Sequence, residues 1–336
     1  GNLKTSAYTA FGNWCVAFLK KFKQEVGIDV YAFSFQNEPE FVEPYASCVY
    51  SDEQYKETLK VIGPIINAEC PSVKLFGPET MAWTIGGYQA LTLNDPAAGQ
   101  HLDYIAVHGY SDGVQPGDPG PNVWSRAGRM AAYYERNLWM TETSGFPDTW
   151  AGAMDLVGAM YTPFYYGNLS AWVWWRLVKT ASWQDVNKWL IDGTRKNTTY
   201  YASKHFFRYI RPGAKRVDSE SNDTKLLALA FHHRTDRTMT VVLVNIGSSQ
   251  KSVSLTGDNL PSSFTHYLST RSKKMSNEGT VSPGSVSLPA QSISTLVADS
   301  YDGRAAVRTD FPTSPSRSVT PRAAGPSLLY RIDGRM

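Results

Sequence analysis

Two glutamates each close an apolar, β-prone run: Glu38 in Phe35-Gln36-Asn37-Glu38-Pro39 and Glu142 in Leu138-Trp139-Met140-Thr141-Glu142. A carboxylate held where a buried strand opens into a loop can give or take a proton, or attack an electron-poor carbon. Either glutamate alone reads as a solvated loop residue. Two at equivalent strand ends point to joint action on one bond, and together they suggest the acid/base and nucleophile of a sugar-cleaving pair. One carboxyl must stay protonated until it donates to the leaving oxygen while the other stays ionised, so their environments must differ. Asn37 offers an amide to the sugar hydroxyl beside the reacting carbon. Pro39 turns the chain out of the strand.

The elements that must position these residues are legible as a repeat. Strand-like runs at 30–36, 73–77, 104–108, 138–141 and 171–177 alternate with helical stretches at 8–26, 51–68, 126–136 and 150–166. Strands separated by helices run parallel, and their carboxyl ends share one face. Glu38, His108, Glu142 and Trp174 are expected to meet there. His108 also reads as a core histidine satisfied by backbone, and Tyr110 as a packed aromatic.

Six segments occur in an order and spacing that resembles glycoside hydrolase family 30: Gln36-Asn37-Glu38-Pro39-Glu40, Tyr45-Ala46-Ser47-Cys48, His108-Gly109-Tyr110, the Leu138 to Glu142 run, Ala171-Trp172-Val173-Trp174-Trp175, and Phe207-Arg208-Tyr209-Ile210-Arg211-Pro212-Gly213-Ala214. The resemblance covers about residues 1–299. It implies a retaining enzyme on a (β/α)8 barrel with a β-sandwich side domain. It also implies that Glu38, ending the fourth strand, is the general acid/base and that Glu142, ending the seventh, is the nucleophile. Tyr110, from the end of the sixth strand, would donate to the nucleophile, with His108 in a similar part. In a retaining pair the carboxyls stand roughly 5 to 5.5 Å apart.

The ten tryptophans and nineteen tyrosines suit the apolar faces of pyranoses. Alternation sends Trp174 and Trp175 to opposite sides. Trp174, matching a family site position, is expected as the stacking floor, although an aromatic in a barrel strand also reads as core. Trp83 and Trp183, in loops after the fifth and eighth strands, are expected as walls for more distant sugar units, or as lid packing. Family members that require glucuronic acid branches carry an arginine pair and a tyrosine after the eighth strand. Here only Arg176 approaches that pattern, which implies no strict need for such branches. The reading is therefore an endo-acting, retaining β-glycanase that cuts xylan. β-1,6-Glucanase or β-1,6-galactanase activity, and an inactive glycan-binding remnant, are its rivals. No metal or organic cofactor is implied, the partner is a polysaccharide, and the chain is expected to act as a monomer.

Upstream of residue 30 lies one helical stretch, so the first three strand units of such a barrel and the amino-terminal strand of its side domain have no counterpart. The expected fold is α/β plus all-β: a TIM-type barrel lacking about three βα units over 1–211, a β-sandwich over 212–299, and a disordered tail over 300–336. Open parallel edges would be an aggregation liability, which makes independent folding and activity of such a fragment an open question. Short β-branched runs at 226–232, 238–245, 251–255, 264–268 and 293–297, separated by turn residues, carry the sandwich. It reads as a clamp on the barrel, being poor in aromatic rows.

The tail from residue 301, rich in Pro, Ser, Arg and Ala, holds six arginines and three aspartates, which equals the formal charge of +3 of the whole 336-residue chain. The basic pI thus implies no nucleic-acid partner. No apolar run reaches the roughly 18 residues that a membrane span needs. Secretion is expected from the substrate class. Cys15, Cys48 and Cys70 lack metal spacing, and a bridge between Cys48 and Cys70 is conceivable. Asn168, Asn197 and Asn222 fit the glycosylation pattern.

Overall fold

The computed structural model describes residues 1–114, 120–181, 185–301 and 303, and the backbone of Tyr330–Arg335. It divides into two compact units, Gly1–Thr143 with Tyr166–Trp174, and Ser144–Tyr165 with Trp175–Met336.

The first unit opens with α1 (Tyr8–Val26), whose buried Tyr8, Cys15, Val16 and Leu19 recur at helical spacing and which stops at Gly27 in the left-handed conformation. Next come β1 (Ala32–Phe33) and α2 (Asp52–Glu69). Ser51 caps α2 by accepting from the amide of Gln54 at 3.1 Å, and Asp52 and Glu53 complement its amino-terminal dipole. Tyr55, Leu59, Ile62 and Ile66 form the buried stripe of α2. β2 (Lys74–Thr80) leads through α3 (Tyr88–Asn94) and α4 (Pro96–Gly99) to β3 (Tyr104–His108). α5 (Pro121–Tyr133) then leads to β4 (Asn137–Glu142), and α6 (Trp150–Gly167), which belongs to the second unit through Tyr165, precedes β5 (Ala171–Trp172) in the chain.

The five strands form one sheet in the order β1-β2-β3-β4-β5, every pair parallel. Ile105, Ala106 and Val107 are fully buried, as a parallel strand covered on both faces requires. β1 and β5 are shorter than the runs at 30–36 and 171–177 lead one to expect. Each pairs with a single neighbour, so the ladder ends after two residues. Along α1, Phe11, Trp14 and Phe18 stack in succession and Phe22 lies tilted against Phe18, with ring centroids 5.9 to 6.1 Å apart, and Trp14 and Phe18 are exposed.

The second unit contains the short hairpin β6 (Ile191–Asp192) and β7 (Arg195–Lys196), the helix α7 (Thr198–Phe207), and then strands alone. These are β8 (Lys215–Val217), β9 (Ser219–Ser221), β10 (Leu226–His233), β11 (Thr238–Asn245), β12 (Lys251–Thr256), β13 (Phe264–Ser269), β14 (Ser276–Val281), β15 (Val286–Leu288), β16 (Ser292–Ala298) and β17 (Tyr330–Arg335). One sheet has the order β14-β13-β16-β11-β10-β8 and the other β15-β12-β17-β9. Val217, Leu226, Met239, Val241, Leu243, Val253, Phe264, Val286 and Leu296 fill the core of this sandwich. β10, β11 and β16 are buried along nearly their whole length, and α7 lies against β13 and β16.

Three expectations are corrected. Tyr330–Arg335, read as disordered tail, is a strand running antiparallel to β12 and parallel to β9. The free hydrogen-bonding edges of those two strands supply an order that the tail's composition does not. The rest of that tail, apart from the residues around 301 and 303, lies outside the described residues. Cys15, Cys48 and Cys70 are all free thiols, so the Cys48 to Cys70 bridge does not form. Asn197 is buried, and its amide donates to the carbonyls of Trp189 at 2.7 Å and Val186 at 3.3 Å, leaving no nitrogen open to a glycan. Among the described residues, no helix is long and apolar enough to cross a membrane.

Candidate active site

Four consecutive strands deliver ionisable side chains to one place. Glu38 follows β1, Glu79 stands near the end of β2, His108 ends β3 and Glu142 ends β4. Two register irregularities aim them. Pro78 pairs with Ala106 and Thr80 with Val107, so Glu79 is the extra, bulged residue, with φ at +62°. On the other side of β3, Val107 pairs with Met140 and His108 with Glu142, so Thr141 is skipped. Glu38 also has a positive φ of +40°, and its amide donates to the carbonyl of Glu79 at 3.2 Å. Non-glycine residues in that region are uncommon and gather at functional sites.

His108 is the hub. Its ring is 1 % exposed, Nδ1 lies 2.9 Å from Glu38 Oε1, and Nε2 lies 3.8 Å from Glu79 Oε1 and 4.0 Å from Glu142 Oε2. Tyr110 donates its phenolic proton to Glu142 Oε1 at 2.5 Å. The loops carrying Tyr110 and Glu142 are fastened to each other, because the Gly109 amide donates to the Glu142 carbonyl at 2.6 Å and Thr143 Oγ1 to the Gly109 carbonyl at 2.5 Å. One carboxylate oxygen each of Glu38 and Glu142 and one ring nitrogen of His108 lie within 4.8 Å of one another.

The electrostatics follow from burial and charge. Burial opposes a charge on His108, but the hydrogen bond with Glu38, then Glu79 and the charge of Glu142, outweigh it and lift the imidazole to about 9. The ring is a cation at neutral pH. Burial raises Glu142 above the ordinary carboxylate value, and the charge of His108 and the hydrogen bond from Tyr110 pull against it. Glu40 is raised by burial too, partly offset by the Met81 amide that donates to its Oε1 at 2.6 Å. That bond ties the turn after β1 to the loop after β2. The oxygen and nitrogen spacing of Glu38, His108 and Glu142 could enclose a metal ion. A protonated histidine that commits Nδ1 to Glu38 has no lone pair to give one.

Of the residues expected here, Glu38, His108, Tyr110 and Glu142 come together. Asn37 is exposed beside Glu38, Trp83 is half-buried in the turn after β2, and Trp174 is buried just past β5. Arg176 belongs to the second unit, where it lies 5.9 Å from the Trp175 ring centre and donates to Thr180 Oγ1 at 2.5 Å. Trp183 lies outside the described residues. Glu79 was missed, although the signal was available: a carboxylate at the end of the next strand, in Gly77-Pro78-Glu79-Thr80. Its bulge was not readable from the pattern of residues.

A profile for the glycosyl hydrolase family 30 beta sandwich domain matches residues 213–296. The chain is 25% identical over 309 residues to glucuronoxylanase XynC of Bacillus subtilis strain 168, covering 88% of this chain and 68% of that enzyme. Its fold superposes on the crystal structure of a glycoside hydrolase family 30 subfamily 8 xylanase from Clostridium acetobutylicum with a TM-score of 0.74 at 25% identity, over 89% of this chain and 73% of that one. The sandwich thus matches that of glycoside hydrolase family 30, and the chain as a whole is similar to members of that family. The chain is a glycosidase by this similarity, with a parallel sheet followed along the sequence by a sandwich. Another relative is the lysosomal acid glucosylceramidase of Mus musculus, 24% identical over 75% of this chain and 53% of that protein. The chain thus spans about half to two thirds of the length of these curated relatives.

Proposed function

We propose that this chain carries the catalytic pair of a retaining endo-β-glycanase that cuts xylan by double displacement. Glu38 protonates the departing glycosidic oxygen while Glu142 attacks the anomeric carbon. Glu38, as carboxylate, then activates the water that releases the glycosyl ester. The observation that carries this reading is the approach of the two carboxylates to within 4.8 Å at their nearer oxygens. That spacing suits direct attack and is short of the roughly 6.5 to 9.5 Å an inverting pair keeps for an intervening water. The surroundings of Glu142 support its part. Glu142, which must be anionic to attack, has the Tyr110 hydroxyl and the His108 cation against it. The similarity to a glucuronoxylanase and a family 30 xylanase favours xylan as the substrate, and action on such a polymer makes secretion part of the same reading.

The test is reducing-end release from undecorated xylan, glucuronoxylan, β-1,6-glucan and β-1,6-galactan, together with trapping by a 2-fluoro xyloside that accumulates the glycosyl ester. Cleavage of both xylans and a mass increase on the peptide carrying Glu142, lost in Glu142→Gln, is expected. Cleavage of glucuronoxylan alone would refute the indifference to branches. Cleavage of a β-1,6-linked polymer alone would replace the substrate, and binding with turnover no better than Glu142→Gln would make the chain a glycan-binding remnant.

A further inference from the structure

His108 Nε2 is buried and makes no hydrogen bond among the described residues. It points between two carboxylates, Glu79 Oε1 at 3.8 Å and Glu142 Oε2 at 4.0 Å, while the opposite nitrogen is taken by Glu38. An orphaned nitrogen at 1 % exposure is costly for a neutral ring. It is tolerable for a cation whose second N–H lies in the field of two anions.

Glu79 is built for that place. It is the extra residue of a bulge in a parallel ladder, where bulges are rare, and its positive φ turns its side chain off the strand's alternation. The charged partner of its carboxylate among the described residues is His108. A buried carboxylate held by a strained backbone, with a single cation as its partner, calls for a reason beyond packing.

Building on the proposed glycanase reading, we propose that Glu79 is a positioning residue acting through His108. It keeps a second proton on the imidazole, so that Nδ1–H holds Glu38 while the ring's positive charge faces Glu142. The ring is faced by Glu38 from the turn after β1, Glu79 from β2, Tyr110 from the loop after β3 and Glu142 from β4, with Glu40 farther out. Without Glu79 the ring sheds its proton at a lower pH, nearer the neutral range. Nε2 then presents a lone pair, rather than a proton, to the nucleophile. The consequence is selective: substrate binding is untouched, and the reacting pair loses its shared counter-charge.

The experiment is an NMR titration of His108 in the whole chain with labelled histidine, comparing the parent with Glu79→Gln and Glu79→Asp, and with His108→Gln to assign the signal. The His108 midpoint is expected to fall by at least about one pH unit in Glu79→Gln and by less in Glu79→Asp, whose carboxylate keeps its charge at longer range. The alkaline limb of kcat/KM is expected to fall with it while KM holds. An unchanged midpoint in Glu79→Gln overturns the proposal, and should that variant fail to fold, an unchanged midpoint in Glu79→Asp does the same. The titration reads the ring without turnover. A chain in which the midpoint moves but no glycan is cut would sink the glycanase reading and leave the link between Glu79 and His108 standing, whereas a fixed midpoint in an active enzyme sinks the link alone.

Discussion

The phenolic hydroxyl of Tyr110 stands 2.5 Å from Glu142 Oε1, and the loops that hold the two residues are tied by hydrogen bonds in both directions. A hydrogen bond to a charged group contributes about 1.5 to 3 kcal/mol, so Tyr110→Phe is expected to lower kcat/KM roughly tenfold to a hundredfold. The pH dependence gives the sharper reading. Burial already raises Glu142 and the tyrosine works against that rise, so removing the hydroxyl lifts the carboxyl further. Glu142 must be ionised to attack, so the acid limb of the rate profile moves to higher pH. A Tyr110→Phe variant whose acid limb stays in place would show that the tyrosine packs and does not tune.

Gly77 is irreplaceable for a reason outside its own strand. A β-carbon there would come within 2.1 Å of Tyr55 Oη, and Tyr55 is fully buried on α2. Gly77→Ala therefore forces β2 away from α2, at a cost of about 1 to 3 kcal/mol. Glu79, two residues on, would be displaced as well. Denaturation midpoints for Gly77→Ala, Tyr55→Phe and the double variant check this. Removing the hydroxyl should recover part of the loss, and strictly additive effects would rule the contact out.

These two positions also mark where sequence reasoning ran out. The five parallel strands were legible because each is a short apolar run ended by a turn, and α1 because Tyr8, Cys15 and Leu19 keep one face. Glu38 and Glu142 were legible because a charge that closes an apolar run stands out. Glu79 closes such a run too, yet it reaches the site by a bulge, a feature of pairing between strands that no single strand announces. α3 and α4 escaped because they are short, held by Asp95 capping Pro96–Gly99 and by Leu93 burying into the unit. β17 escaped for the opposite reason, since its order comes from the partners it pairs with. In the sandwich, β14 is exposed from Asn277 to Thr280 and turns apolar only at Val281, so alternation gave no signal there.

Acid should weaken the second unit through one buried ring. His205 on α7 is fully buried, with Nδ1 2.8 Å from Thr295 Oγ1 and Nε2 2.7 Å from Ser269 Oγ. Thr295 donates its own proton to the His205 carbonyl at 3.0 Å, so its oxygen accepts from Nδ1–H. Ser269 accepts from the Met275 amide at 2.8 Å and is left to donate to Nε2. Every proton is placed for a neutral ring, and a proton on Nε2 would meet an oxygen whose own hydrogen already points at it. Burial, with His266 and Lys204 adding repulsion, lowers this histidine to about 3. The unfolded chain takes up its proton near pH 6.5 and the folded chain does not, so the unfolded state binds more protons between those values. Stability from this site is complete above about pH 6.5 and declines at up to about 1.4 kcal/mol per pH unit as pH falls toward 3. His205→Gln, whose amide can donate to Thr295 and accept from Ser269 without titrating, is expected to be less stable at pH 7.5 but to lose less on acidification. Denaturation of both proteins between pH 7.5 and 4.5 measures the gap. A gap that stays constant across that range would mean that His205 takes up its proton as readily in the folded chain as in the unfolded one and that the tautomer assigned by its partners is wrong.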